Sequence, residues 1–238
     1  MTNLKYKRLL VKLSGEALMG QYDFGIDPQM IGQLADELRT LQQAGIEIGI
    51  VIGGGNIFRG AGLARAGLDR VAGDHMGMLA TVMNALALKD GLEKKNLAVS
   101  VMSGLHMPQV CEMYTQRGAR EIIARGGIVI FAAGTGNPYF TTDTGASLRA
   151  IEIQADLMVK ATKVDGIYDS DPMTNPQAVR YEYLTYSEAI DQRLGVMDIT
   201  AMVMCHENDL DLSVCNISEP GAILALARGE NLGTRVTN

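Results

Sequence analysis

An α/β fold with parallel strands is what this 238-residue chain predicts, on three observations. Short apolar runs of strand length recur along it, separated by segments of helical period. The first such unit reads strand, helix, strand, which implies parallel pairing through a right-handed crossover. Hydrophobic residues make up 47% and charged residues 20%, an ordinary globular balance, and no internal repeat, low-complexity tract or clear linker interrupts it.

Leu9–Leu13 is the first strand, with Lys12 among its last residues. A lysine in a buried strand is costly unless its ammonium has a partner, so Lys12 reads equally as a phosphate-binding group or as a lysine snorkelling from an edge. Gly20–Gly25 is a loop. Asp27-Pro28 starts a helix, with Asp as N-cap and Pro at the first position. Ile31, Leu34, Ala35, Leu38 and Leu41 then repeat at helical spacing until Gly45 stops them. Ile46–Ile52 is a buried strand running into VIGGGNIFRG, Val51–Gly60. Asp74 is placed to cap a long helix to about Lys95, whose apolar face is Met78, Leu79, Val82, Met83, Leu86 and Leu92.

Leu97–Met102 is the next strand and Ser103–Gln109 a loop, after which a helical pattern runs to Arg125 and ends at Gly126-Gly127. Ile128–Ala133 is a buried strand that delivers the loop Gly134–Asp143, and Asp143 is placed to cap a helix continuing to Ala155. Leu157–Ala161 is a further strand, followed by a loop carrying Lys163, Asp165, Tyr168, Asp169 and Asp171. Thr185–Glu188 is a capping box, Asp198 caps a helix to Asn208, and Leu212–Ile217 is a late strand. Pro220 opens a last helix to Arg228, and Thr234–Val236 closes the sheet.

Open α/β sheets bind ligands outside the carboxyl ends of their strands, which is where the two most informative loops lie. Gly53, Gly54 and Gly55 permit positive φ or the close approach of another group, and can aim backbone N–H groups at an anion. Asn56 and Arg59 add a polar side chain and a permanent cation. By itself this stretch fits a phosphate cradle or a tight turn with an incidental arginine. The loop Gly134–Asp143 crowds small, hydroxyl and amide groups around the aromatic pair Tyr139-Phe140.

Other chemistries lose ground. A net charge of −6 disfavours non-specific binding of nucleic acid. Cys111, Cys205 and Cys215 are odd in number and lack C-x-x-C spacing, which suggests free thiols in a reducing compartment. Lys5, Lys7 and Arg8 precede an apolar run that Lys12 interrupts, too short for a signal peptide or a membrane span, so a cytoplasmic soluble protein is expected. There is no P-loop and no nucleophile elbow, the glycine run fits only the first two glycines of the dinucleotide fingerprint, and His206-Glu207 lacks a zinc helix's second histidine.

Phosphate chemistry remains, and it asks mainly for positioning and charge neutralisation. Lys12 and Lys163, both at strand ends, are placed to flank a transferring phosphoryl group, with aspartates to orient them or to hold Mg²⁺ through water. The lack of an obvious general-base histidine fits a phosphate monoester acceptor, whose second pKa near ~6 leaves it mostly dianionic at neutral pH. A carboxylate acceptor fits equally.

These residues carry a resemblance. KLSGEAL (Lys12–Leu18), VIGGGNIFRG (Val51–Gly60), DHMGMLATVMN (Asp74–Asn84), GTGNPYFTTD (Gly134–Asp143), KATKVDGIYDSDP (Lys160–Pro172) and VMDITAM (Val196–Met202) resemble the bacterial uridylate (UMP) kinases of the amino acid kinase family, over essentially the whole chain. The resemblance implies one domain over residues 1–238, a three-layer α/β/α sandwich around a mostly parallel sheet. It implies transfer of the ATP γ-phosphoryl group to UMP, giving UDP and ADP, in pyrimidine nucleotide biosynthesis. Mg²⁺ would come with ATP, held mainly by the nucleotide phosphates rather than by a protein metal site.

By the same likeness Lys12, Asp143 and Lys163 are catalytic, with Asp143 orienting Lys12. Lys12, Leu13, Ser14, Gly15, Gly55, Arg59, Thr162, Tyr168 and Asp171 match ATP contacts. Gly54, Asp74, Thr135, Gly136, Asn137, Pro138, Tyr139, Phe140, Thr141 and Thr142 match UMP contacts. Gly20, Gln21, Tyr22, Asp23, Phe24 and Gly25 match a region that responds to GTP, and the likeness extends to GTP activation, UTP inhibition and a homohexamer. No nucleic-acid or membrane partner is implied. Ser103–Arg125 departs from the family pattern, so His106 and Arg117 receive no role. The competing readings are a sibling enzyme phosphorylating a carboxylate or carbamate, for which Gly134–Asp143 would be unexplained, and a binding protein without catalysis, for which Lys12, Asp143 and Lys163 would be.

Overall fold

A computed structural model of the protein describes residues 4–58 and 67–238. In chain order the elements are β1 (Arg8–Leu13), a 3-10 turn (Gly15–Leu18), α1 (Pro28–Gln43), β2 (Glu47–Ile52), α2 (Arg70–Glu93), β3 (Val99–Ser103), β4 (Glu112–Met113), α3 (Gln116–Ala124) and β5 (Ile128–Ala132). There follow α4 (Thr142–Glu152), β6 (Leu157–Thr162), β7 (Ile167–Tyr168), β8 (Arg180–Tyr181), β9 (Tyr183–Thr185), α5 (Tyr186–Asp191), α6 (Ile199–Glu207), β10 (Leu212–Asn216), α7 (Ala222–Ala227) and β11 (Thr234–Thr237).

Nine strands form one sheet in the order β4-β3-β5-β2-β1-β6-β10-β11-β9, and β7 and β8 pair apart from it as an antiparallel ribbon. Within the sheet β10–β11 is the antiparallel pair and the others are parallel. Side chains alternate across a strand, so the sheet feeds two cores. Leu9, Val11, Leu13, Ile48, Ile50, Ile52 and Val159 pack with α1, α2 and α7. Leu10, Val51, Val129, Phe131, Met158 and Leu212 pack with α3, α4, α5 and α6. That is the three-layer sandwich, and it explains why the strands read as unbroken apolar runs.

Four central strands, β5, β2, β1 and β6, are neighbours and parallel. Their carboxyl ends therefore lie side by side and present the loops that begin at Ala133, Gly53, Ser14 and Lys163 in one row.

Several element expectations need correction. The N-cap of α2 is Asp69, whose carboxylate accepts the Ala72 N–H at 3.0 Å. Asp74 is thus an interior residue of that helix and caps nothing. The N-cap of α4 is Thr141, whose hydroxyl accepts the Asp143 and Thr144 N–H groups at 3.1 Å each, so Asp143 is not a cap either. Both carboxylates are released for other partners. The helix expected through Arg125 covers only Gln116–Ala124, because Glu112-Met113 pairs with β3 instead. Thr234–Thr237 does not close the sheet; it lies between β10 and the edge strand β9.

The glycines after β2 are used for close approach. None of Gly53, Gly54 and Gly55 has positive φ. A Cβ on Gly54 would stand 2.8 Å from the Ala80 Cβ and 2.9 Å from the Gly77 carbonyl, so α2 rests directly on the loop. One on Gly15 would stand 2.5 Å from the Asn56 side chain and 2.6 Å from the Gly53 carbonyl. A buried amide pair holds this contact. Asn84 donates to the Gly53 carbonyl and to Asn56 Oδ1, both at 2.7 Å, and Asn56 donates to Asn84 Oδ1 and the Gly25 carbonyl, both at 2.9 Å.

Asn84→Ala strands these partners, and we expect a loss of about 1–3 kcal/mol in urea denaturation. A change under a few tenths would show that the amide pair does not hold the loop to α2.

Candidate active site

The centre of the row of strand ends is built by register. Lys12 on β1 and Lys160 on β6 are direct cross-strand partners, and both point to the α4 side of the sheet. The first turn of α4 brings Asp143 between them. Its Oδ1 lies 2.8 Å from the Lys12 ammonium and its Oδ2 2.8 Å from that of Lys160. These side chains are only 12%, 14% and 16% exposed. The Lys160 ammonium also donates to the Val196 carbonyl. Burial pushes the Asp143 carboxyl up, but the charges of Lys12 and then Lys160 outweigh that and hold it below the ordinary value. Burial, with the Lys12 charge added, pushes the Lys160 ammonium below its ordinary value against the opposing pull of Asp143.

On the β5 and β2 side a cavity of about 370 Å³ opens. Gly54, Gly55, Phe58, Asp74, Thr81, Gly134, Thr135, Phe140, Thr141 and Thr142 are among the residues that line it. Asp74, freed from capping, accepts the Tyr139 N–H at 2.7 Å and pairs with Arg70 at 2.8 Å. Burial raises its carboxyl, and these donors outweigh burial and hold it below the ordinary value. The loop over the cavity bends sharply. Ala133, Gly134, Gly136 and Tyr139 have φ of 60°, 54°, 78° and 73°. Two of these are not glycine, a local cost that the surrounding contacts support. Gly136, Asn137, Pro138 and Tyr139 do not line the cavity. Below the loop, buried Arg149 stacks 3.7 Å over the Tyr114 ring, pairs with Glu152, and donates to the Gly134 carbonyl at 3.2 Å.

On the β1 and β6 side the parts are local. The Leu13 side chain is fully buried, and its carbonyl accepts the Gly53 N–H at 2.9 Å. Ser14 caps the 3-10 turn by accepting the Glu16 N–H. Thr162 closes the turn to Val164, Tyr168 donates to Asp165 at 2.6 Å, and Asp171 accepts the Met173 N–H at 2.9 Å. Arg59 lies outside the described residues.

Lys163 is not brought to Asp143. It is 61% exposed, stands 3.4 Å from Glu16, and lines a separate cavity of about 960 Å³ with Gly20, Gln21, Tyr22 and α1. Asp23, Phe24 and Gly25 do not line that cavity. The reason is strand parity: three residues from Lys160, position 163 falls on the opposite side of the β6 line. Lys160 is the residue that sequence reasoning missed. Its signal was the one noted for Lys12, a lysine inside an apolar strand. Asp198 was seen only as a cap; besides the Ala201 N–H it accepts the Thr141 and Thr144 hydroxyls, tying α6 to α4.

Comparison with known proteins fits this geometry. The profile described as the Amino acid kinase family matches residues 7–216. A uridylate kinase of Xanthomonas oryzae pv. oryzae is 58% identical over 236 residues, covering 99% of this chain and 98% of that protein. One of Methylococcus capsulatus is 58% identical over 234 residues, covering 98% of each. The crystal structure of the UMP kinase from Bacillus anthracis superposes with a TM-score of 0.94 at 39% identity, covering 98% of this chain and 96% of that one.

Asp143→Asn leaves two register-paired ammonium groups without a counter-charge. We expect a loss of about 3 kcal/mol in urea denaturation near neutral pH. Burial already pushes the Lys160 ammonium down, and the variant removes the Asp143 charge that opposes this, so Lys160 discharges as the pH rises and the deficit shrinks by pH 9.5. A deficit of equal size at both pH values would contradict the ion triad.

Proposed function

The chain belongs to the amino acid kinase family, and from that premise we infer that it is a nucleoside-monophosphate kinase moving the ATP γ-phosphoryl group to UMP, giving ADP and UDP. The observation that carries this reading is the row of strand ends: an acceptor-sized cavity over β5 and β2, a charged centre over β1, and the ATP-matching residues from β6 onward.

UMP enters the cavity in this reading. The ionised carboxylate of Asp74 takes the ribose hydroxyls, and the 134–142 loop surrounds the uracil. Its phosphate points to the Gly54-Gly55 backbone and the amino-terminal end of α4, where partial positive charge favours an anion. That phosphate is already nucleophilic, so no protein base is required. Lys12 sits where negative charge shifts between the two phosphates, and Asp143 holds it there. Ser14 and Gly15 bring backbone to the ATP phosphates, and Thr162, Tyr168 and Asp171 face the adenosine. Lys163 stands away from this centre and is left out of the transfer step.

Mg²⁺ is proposed to enter with ATP. Phosphate oxygens and water would carry the cation. When bound it neutralises phosphate charge.

A homohexamer is also proposed, supported by an exposed apolar stripe on α2, Met76, Leu79, Met83 and Leu86. GTP activation through Gly20–Gly25 and UTP inhibition follow the family likeness, and the cavity at Gly20–Tyr22 supports the first. No helix among the described residues is long and apolar enough to cross a membrane. A cytoplasmic location, and a role in supplying UTP and CTP, are the corresponding proposals.

With ATP-Mg²⁺ and a panel of UMP, CMP, AMP and GMP, we expect UMP to be turned over in strong preference. Comparable turnover of all four, or none of UMP, would sink the reading. Asp74→Asn should raise the KM for UMP by about tenfold with a smaller effect on kcat, the pattern of a lost binding contact. An unchanged KM would remove Asp74 from the acceptor site.

A further inference from the structure

Lys160 has no part in the transfer as described, yet it is more fully anchored than Lys12. We propose that Lys160 is a positioning residue: it fixes Asp143, and through Asp143 it fixes the Lys12 ammonium against the phosphates. The inference rests on the kinase reading above and adds to it.

Three observations converge. Lys160 and Lys12 are register partners on adjacent parallel strands, so their stems run side by side. Asp143 divides its two oxygens between them at equal distances of 2.8 Å. Lys160 has a second fixed partner, the Val196 carbonyl in the segment leading to α6. An ammonium has three N–H donors. Lys160 spends two on the protein, whereas Asp143 is the partner that Lys12 has among the described residues. Lys12 therefore keeps donors for phosphate, and Lys160 does the holding.

The charged and titratable groups facing Lys160 are Lys12 from β1, Asp143 from α4, and Asp198 at the start of α6, with Cys205 further along α6 near Asp143. Without Lys160, Asp143 would be free to swing, and Lys12 would lose a like charge beside it. The first effect removes rate, and Asp143 itself would lose one of the two charges that hold its carboxyl below the ordinary value.

The test compares the parent protein with Lys160→Met, Lys160→Gln and Lys160→Arg. In steady-state assays with ATP-Mg²⁺ and UMP, we expect kcat to fall about a hundredfold in the Met and Gln variants, with both KM values within about threefold. Lys160→Arg, which keeps a charge for Asp143, should recover at least about tenfold of that loss. In the nucleotide-free protein, the Asp143 carboxyl followed by carbon NMR should titrate at higher pH in Met and Gln than in the parent. Gln serves if Met does not fold, and thermal melting identifies the folded variants.

A folded Met or Gln variant with kcat within about threefold of the parent would overturn the proposal. So would a rate loss that Arg does not recover and that leaves the Asp143 titration unmoved, the signature of a merely structural lysine. A parent protein that does not phosphorylate UMP would overturn the functional reading alone, and the Asp143 titration would still decide whether Lys160 fixes that carboxylate.

Discussion

One carboxylate shared between two ammonium groups is the constraint on which the centre of this molecule depends. Parallel pairing of β1 with β6 puts Lys12 and Lys160 next to each other, where the sheet alone would leave two like charges at strand spacing. At an effective dielectric constant of about 20 that repulsion is about 3 kcal/mol. Asp143 answers both at once, and one positive charge is left over. A centre that is cationic by one unit, largely shielded from water and fixed in direction suits a reaction that shifts negative charge between phosphates.

The contacts around the triad fix the elements that carry it. Thr141 takes over the capping of α4, so that the carboxylate two residues later is not drawn to the helix N-terminus. Asp198 binds the Thr141 and Thr144 hydroxyls and so fastens α6 to the same turn. On the opposite face, Asn56 and Asn84 clasp the glycine loop to α2, and Gly15 nests against that loop with no room for a side chain. Two separate cores, one on each face of the sheet, hold the two halves of this arrangement.

Much of this was legible in the sequence, for identifiable reasons. Apolar runs and helical periodicity are local signals, and so are caps such as Asp27-Pro28 and the Thr185–Glu188 box, which form as read. The misreadings at Asp74 and Asp143 have a common cause. A carboxylate near a helix start looks like a cap, and only the neighbouring Asp69 and Thr141, equally able to cap, show that it is spared. Lys160 was hidden because its meaning is a register with β1, almost 150 positions away along the chain. Sequence proximity to the loop favoured Lys163, and strand parity favours Lys160. The glycine run was recognised as special, but its use is close packing against α2 and the 3-10 turn rather than positive φ.

The order of the four central strands has a consequence for traffic. The cavity lies over β5 and β2, the residues proposed for the adenosine (Thr162, Tyr168 and Asp171) lie at the end of β6 and beyond, and β1 stands between. Neighbouring strands stand about 4.8 Å apart, so in the proposed arrangement the two phosphates would meet over a floor one strand wide while the two nucleosides extend in opposite directions. Each substrate would then have its own doorway. In that arrangement neither nucleoside would lie across the other's way in or out.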